Sequence, residues 1–127
     1  MIGIVGSAKD DIAINERVIS DYRAGKIDFD TAKARMSLEP ISIGTMEISA
    51  RIMCKSAKVD AQPFLLELQE YRLTAIEYMQ WQKDLLEGER DEEKGENFVL
   101  KMNLAEKEHK LVDASASLLD SLKGAKF

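Results

Sequence analysis

The chain has 127 residues, two prolines, one cysteine and a formal net charge of −5. This length predicts a single domain, residues 1–127, that buries a core of its own. Because Cys54 is the only cysteine, no intrachain disulfide and no cysteine-pair zinc site can form, and we expect a reducing, cytoplasmic environment. No apolar run approaches the length of a membrane span, and the first six residues lack the basic start of a secretory signal.

Charge is distributed unevenly along the chain. Residues 61–108 contain six basic and twelve acidic residues, whereas residues 14–60 contain eight basic and seven acidic ones. Nucleic-acid-binding proteins usually display a basic stripe that releases counterions from phosphates, and here acidic residues interrupt the basic ones. A nucleic-acid-associated adaptor is therefore a weak alternative. Its candidate contact residues are Arg17, Arg23, Lys26, Lys33 and Arg35.

A first helix is predicted from about Ala8 to Ala24, after a terminal arm of residues 1–7. Ser7 followed by Asp10 resembles a capping box, in which a side chain satisfies the first free N–H groups of a helix. Apolar residues at helical spacing predict one buried face. They are Ile12, Ile14, Val18, Ile19 and Tyr22.

A tight corner follows the first helix. Gly25 is predicted to end that helix, because glycine adopts the left-handed conformation at little steric cost. Asp28 is the predicted N-cap of a short second helix. That helix should end before Pro40, since the residue preceding a proline is pushed out of the helical region. We interpret this helix-turn-helix corner as a packing element, because its second helix is short for a DNA-binding motif.

Residues 42–59 predict a third helix, rich in small residues that would allow close approach of another helix. Its apolar stripe consists of Met46, Ala50, Met53 and Ala57. We interpret the methionines as core, because methionine fills irregular gaps well. The alternation of Ile41 and Ile43 leaves a short strand as an alternative, although it covers too few residues to be preferred.

The strongest periodic pattern begins at Pro63, which suits the first turn of a helix. Apolar residues then alternate spacings of four and three at Phe64, Leu68, Tyr71, Ala75, Tyr78, Gln82 and Leu85. A charged stretch follows Gly88, and Asn97 is the predicted N-cap of the next helix. The second stripe consists of Phe98, Met102, Ala105, His109, Val112, Ala116 and Leu119, flanked by Leu104, Leu111, Leu118 and Leu122.

These two stripes predict long helices over residues 63–87 and 97–123, joined as an antiparallel hairpin. One continuous helix is the alternative, because the charged stretch between them contains good helix formers. The predicted fold class is therefore all-α. Short N-terminal helices, in residues 8–60, pack on a long helical hairpin, in residues 61–127.

Catalytic machinery is not recognisable in this sequence. One histidine and one cysteine leave little material for a nucleophile and its base, so we expect a non-enzymatic protein without catalytic residues or cofactor. The enzyme-class alternative is a metal-binding helical dimer. Glu106 and His109 form one Glu-x-x-His pair of the kind that ferritin-like proteins use, and Glu77 on the opposite arm would lie at a comparable height. Because only one such pair is present, we expect no bound metal.

Acidic residues cluster from Glu87 to Glu96, between the two long helices. This stretch lacks the alternating oxygen ligands and central glycine of a calcium loop. We interpret it as a solvated turn, with mimicry of a nucleic-acid backbone as the functional alternative.

Apolar residues on the two long helices exceed what one antiparallel seam can cover. This excess predicts a helical interaction protein, such as a scaffold, assembly factor, chaperone or inhibitor. It would bind a protein partner or a second copy of itself as a homo-oligomer, and no membrane. Aromatic side chains dominate interface energetics, so we expect Tyr71, Tyr78 and Trp81 on or near the interface, with ordinary core as the alternative.

Overall fold

The computed structural model describes residues 2–88 and 94–124 of the chain. Within these ranges the only regular elements are five helices. They are α1 (Ile2–Arg23), α2 (Phe29–Arg35), α3 (Ile41–Ala57), α4 (Gln62–Leu86) and α5 (Lys94–Lys123). The predicted all-α class is confirmed, and α4 and α5 pack extensively against each other as the predicted hairpin.

Helix α1 begins at Ile2, so the predicted terminal arm of residues 1–7 is wrong. Adding turns to an existing helix avoids the cost of nucleation, and two glycines in this short stretch do not prevent it. The buried face of α1 also differs from the predicted one. Ile12, Val18 and Ile19 are buried as expected, whereas Ile14 is exposed and Asn15 takes a fully buried position.

The corner between α1 and α2 forms as the sequence predicts. Gly25 has a φ of +75°, in the left-handed region. The Asp28 carboxylate accepts a hydrogen bond of 2.7 Å from the backbone N–H of Thr31, which makes it the N-cap of α2. The rings of Tyr22 and Phe29 meet edge to face across the corner, with centroids 5.8 Å apart. Backbone conformation and side-chain contacts therefore both stabilise the corner.

Replacing Gly25 with alanine is expected to lower the free energy of unfolding by about 1 kcal/mol, because a β-carbon is disfavoured at positive φ. No heavy atom lies within 4 Å of the position that the new β-carbon would take, so backbone conformation and not a clash sets the effect. Urea unfolding followed by circular dichroism measures it. Gly44→Ala, in α3 and equally open, is the control and should not be destabilised. A Gly25→Ala protein as stable as the parent would contradict this account.

Helix α3 spans both isoleucines of the predicted strand alternative, so that alternative is wrong. Helical pairing satisfies the backbone of this segment without a second strand. Ala50, Cys54 and Ala57 face the core. Met53 is about half exposed, so the interpretation of this methionine as core is wrong. The predicted stripe of α3 is therefore confirmed at Ala50 and Ala57, and Met46 packs partly buried against the core, whereas Cys54 takes the place predicted for Met53.

Helix α4 is the central element, and it contacts α1, α3 and α5. Each residue of its predicted stripe is buried: Phe64, Leu68, Tyr71, Ala75, Tyr78, Gln82 and Leu85. Leu65, Met79 and Leu86 widen that buried face. The prediction succeeds here because neighbouring helices cover more than half of the circumference of α4. A small error in the predicted direction of its apolar stripe would still place that stripe against a neighbour.

Helix α5 presents a different face to the core from the predicted one, rotated by about one residue or roughly 100°. The buried residues are Leu100, Leu104, Leu111, Ser115, Leu118 and Leu122. The predicted stripe, from Phe98 to Leu119, is exposed at all seven positions. The helix also begins before Asn97, which therefore lies inside α5 and does not cap it. Leucines fill the seam against α4 better than a stripe that includes alanine and histidine, because they bury more apolar area.

Candidate interaction surfaces

The structure places Tyr71, Tyr78 and Trp81 inside the chain, with exposed fractions of 0%, 2% and 5%. All three belong to the core around α4. Tyr78 and Trp81 pack with ring centroids 5.9 Å apart. These residues therefore stabilise the fold, as the core alternative expects, and their role at an interface with another chain stays a prediction.

The polar atoms of these aromatic residues differ in their hydrogen bonding. The Tyr78 hydroxyl donates to Oδ1 of Asn97 on α5 at 3.1 Å. The Tyr71 hydroxyl and the Trp81 indole Nε1 are buried and have no partner within the described part of the chain. Burial raises the pKa of both tyrosines to about 12, with smaller contributions from Glu108 for Tyr71 and from Glu16 for Tyr78. Both hydroxyls are therefore protonated at neutral pH.

A groove runs between α1 and α5, with α4 as its floor. Its main part has a volume of about 550 Å³ and is lined by Tyr78, Trp81 and Leu85 from α4. Glu16 of α1 and Lys101 of α5 also line it. They also border an adjoining space of about 280 Å³. Sequence periodicity missed this groove, because it depends on the distance between two helices that are far apart in the chain.

The exposed side of α5 carries an apolar stripe, which we call the outer stripe. Its residues are Phe98, Met102, Ala105, His109, Val112, Ala116 and Leu119. Phe98 and Met102 are the most exposed of its large apolar side chains, at 64% and 56%. Spacings of four and three over 22 residues are typical of a seam that receives another helix. A continuous stripe of this kind differs from the isolated apolar residues found on most protein surfaces.

One flank of the outer stripe is acidic. Glu106, Asp113 and Asp120 are exposed and repeat every seven residues, which places them along one side of the stripe. Glu106 pairs with Lys110 at 3.2 Å, and Asp113 lies 3.4 Å from Nε2 of His109. Such exposed pairs contribute little to stability. Lys110 offsets the charge of Glu106, so the flank keeps a net negative charge over these two seven-residue repeats, from Asp113 and Asp120.

Glu106 and His109, the predicted alternative metal pair, point outward from α5. Each has a partner on its own helix, Lys110 for Glu106 and Asp113 for His109. Glu77 is exposed on α4, where it borders a different cavity. Across residues 2–88 and 94–124, histidine, cysteine and acidic residues do not gather in groups of three or more. The geometry thus does not bring these three residues into one ligand set.

The basic residues of the predicted adaptor surface lie on α1, α2 and the corner between them. Arg17, Lys26 and Arg35 are exposed, and Lys33 lies 3.7 Å from Glu87 of α4. The acidic residues Asp28 and Asp30 lie among them. Of the acidic cluster, Glu87 and Glu96 lie in the described ranges, and residues 89–93 lie outside them. The interpretation of that stretch as a solvated turn accordingly stays a prediction.

Of the five helices that the structure describes, none has an apolar stretch of the length needed to cross a bilayer. The chain was compared with protein-family models, with curated proteins and with solved structures, and these three comparisons found no match.

Proposed function

We propose that this protein is a helical interaction protein that works by docking the outer stripe of α5 against a helix of a partner. The observation that carries the proposal is the exposed 4-3 repeat on α5. In coiled coils and in helix-in-groove complexes, apolar residues at these spacings contact the partner. Charges that flank them select which partner binds. Scaffolding, assembly, chaperoning and inhibition are all compatible with such a contact.

Burial of the outer stripe would make a partner contact favourable. Phe98, Met102, Val112 and Leu119 are each more than two-fifths exposed. Burying a large apolar side chain contributes roughly 1.5–3 kcal/mol relative to full exposure, so four half-exposed ones could supply a useful part of a binding energy. Association also costs rotational and translational freedom, which this burial has to exceed.

The acidic flank favours one kind of partner. Glu106, Asp113 and Asp120 would face the flank of any helix that lies along the stripe. Opposite charges in flanking positions set partner choice in helical pairs, and like charges oppose pairing. A helix with lysine or arginine along its flank therefore fits better than a second copy of α5, although self-association is retained as a measured outcome.

Introducing charge into the outer stripe tests this proposal. The double variant Met102→Glu/Val112→Glu is expected to weaken partner binding by at least about 30-fold, because two buried charges without partners oppose docking. Its stability should change by less than about 0.5 kcal/mol, since both side chains are about half exposed. The matched control is Asn103→Glu/Ser117→Glu, which adds the same charge to α5 beside the stripe.

Two measurements compare the parent with these variants. Light scattering after size exclusion, at micromolar concentration, reports self-association. Affinity isolation from the native host, with mass spectrometry, reports partners retained by the parent and by the control but lost in the stripe variant. A parent protein that is monomeric, and that retains the same proteins as the stripe variant, would contradict the proposal.

A further inference from the structure

We propose that the outer stripe of α5 receives α3 of a second copy of this chain, so that copies associate head to tail. This inference rests on the proposed function, because it identifies the helix that docks on the outer stripe. Helix α3 packs against α1 and α4, and its other side is exposed. There Ile48 and Ile52 are 63% and 64% exposed, about as much as Phe98 of the outer stripe.

The exposed side of α3, which we call the α3 face, consists of Thr45, Ile48, Ser49, Ile52 and Ser56. The two isoleucines lie one helical turn apart, and the three remaining side chains are small. Because the distance between packed helices depends on side-chain size, small residues let a second helix approach the isoleucines closely. The face extends over about 17 Å, so it can cover about half of the outer stripe.

The α3 face has basic residues beside it. Residues 45–58 contain three basic residues and one acidic residue, Glu47. Glu47 pairs with Arg51 at 3.0 Å, so the net positive charge comes from Lys55 and Lys58, at the C-terminal end of the face. Both lysines are exposed. A helix with this charge distribution fits an acidic surface.

The outer stripe offers such a surface over its C-terminal half, where Asp113 and Asp120 give its flank a net negative charge. Opposite charges in flanking positions attract and select the partner in helical pairs. The apolar residues of the same half, Val112 and Leu119, are 43% and 45% exposed, and the isoleucines of the α3 face would cover them. The two surfaces therefore match in length, apolar character and charge.

The exposed apolar residues of α4 fit the outer stripe less well. Leu66 and Leu73 are 64% and 51% exposed, and Glu70 and Glu77 are exposed beside them on the same side of the helix. Acidic residues in these positions would lie near the aspartates of α5, and like charges oppose pairing. This difference favours α3 over α4 as the docking helix.

The α3 face and the outer stripe are both exposed in the same copy, so neither covers the other within one chain. A contact between two different surfaces leaves one of each unused at the ends of a dimer, and further copies can therefore add. A standard protein interface buries about 800 Å² on each partner, which is more than so short a face supplies. We therefore expect weak association that increases with concentration across the micromolar range.

Mixing two variants tests the proposal. The α3 variant, Ile48→Glu/Ile52→Glu, keeps only the outer stripe intact, and the stripe variant, Met102→Glu/Val112→Glu, keeps only the α3 face. In sedimentation velocity experiments each variant alone should be monomeric at concentrations where the parent forms dimers and larger species. An equimolar mixture should form a dimer with one copy of each variant and nothing larger, because one intact surface of each kind remains.

An exchange of charge tests the electrostatic match. Lys55→Glu/Lys58→Glu should weaken self-association by about tenfold, and so should Asp113→Lys/Asp120→Lys, because each brings like charges together. The protein that carries all four changes should associate as the parent does. The inference is overturned if the combined protein associates no better than either pair of changes alone.

Leu66→Glu/Leu73→Glu is the matched control for the α3 variant. It replaces two exposed aliphatic side chains of α4 with the same charge, so it should associate as the parent does. A parent that stays monomeric, an α3 variant that associates like this control, or a mixture that stays monomeric would each overturn the inference. The proposed function would still stand in these cases if affinity isolation finds a host protein that the α3 variant retains and the stripe variant does not.

Discussion

Replacing Asn15 with alanine is expected to lower the free energy of unfolding by about 3 kcal/mol. The Asn15 amide nitrogen donates to the backbone oxygen of Ser37 at 2.7 Å and to Oε1 of Gln82 at 3.0 Å. Its oxygen accepts from the Ser37 backbone N–H at 2.8 Å. Removal of the amide leaves these three groups without their partner, and each buried unpaired group costs roughly 1–3 kcal/mol.

The Asn15 contacts connect three parts of the chain. They hold the segment after α2 against α1, and Gln82 extends the network from α4 by donating to the backbone oxygen of Ile12 at 3.1 Å. Urea unfolding followed by circular dichroism measures the loss. Asn103→Ala, on the exposed side of α5, is the control and should change stability by less than about 0.5 kcal/mol. Equal stabilities of the two variants would contradict a structural role for this network.

Replacing Leu111 with alanine is expected to lower the free energy of unfolding by about 3 kcal/mol. Leu111 is 3% exposed and lies in the leucine row that α5 presents to the core. Truncating a buried leucine loses its transfer free energy and leaves a cavity, which together cost roughly 2–5 kcal/mol. Thermal or urea unfolding of the purified variant measures this loss.

Val112→Ala is the matched control for Leu111→Ala. Val112 is the next residue of the same helix and is 43% exposed, so its truncation should change stability by less than about 0.5 kcal/mol. The face of α5 predicted from periodicity requires the reverse order, with Val112→Ala the more damaging change. Unfolding data in that order would show that α5 is rotated by roughly 100°, or one residue, from the orientation described above.

Local sequence signals determined the elements that depend on neighbouring residues. Gly25 and Asp28 predicted the corner between α1 and α2, and the structure has the positive φ and the capping hydrogen bond there. These features follow from the backbone freedom of glycine and the short acceptor side chain of aspartate, which act within a few residues. The stripe of α4 was equally predictable, because this helix is covered on most sides.

The orientation of α5 shows where periodicity alone is insufficient. This helix carries two apolar rows on different faces, the leucine row and the outer stripe. A 4-3 repeat identifies each row but does not say which of them faces the core. The composition of the two rows indicates which of them is buried. Leucines bury more apolar area than the alanine and histidine positions of the outer stripe, so the leucine row faces the core.

The sequence by itself determined that this chain forms helices, where the corner at Gly25 turns, and that two long helices pair as a hairpin. Only the tertiary structure decided which face of α5 is buried, how Asn15 reaches Ser37 and Gln82, and how a groove opens beside Trp81. The physical reason is the separation along the chain of the residues that interact. Caps, turns and helical periods arise from interactions within about four residues, whereas helix rotation and the space between helices depend on side-chain volumes contributed by distant segments.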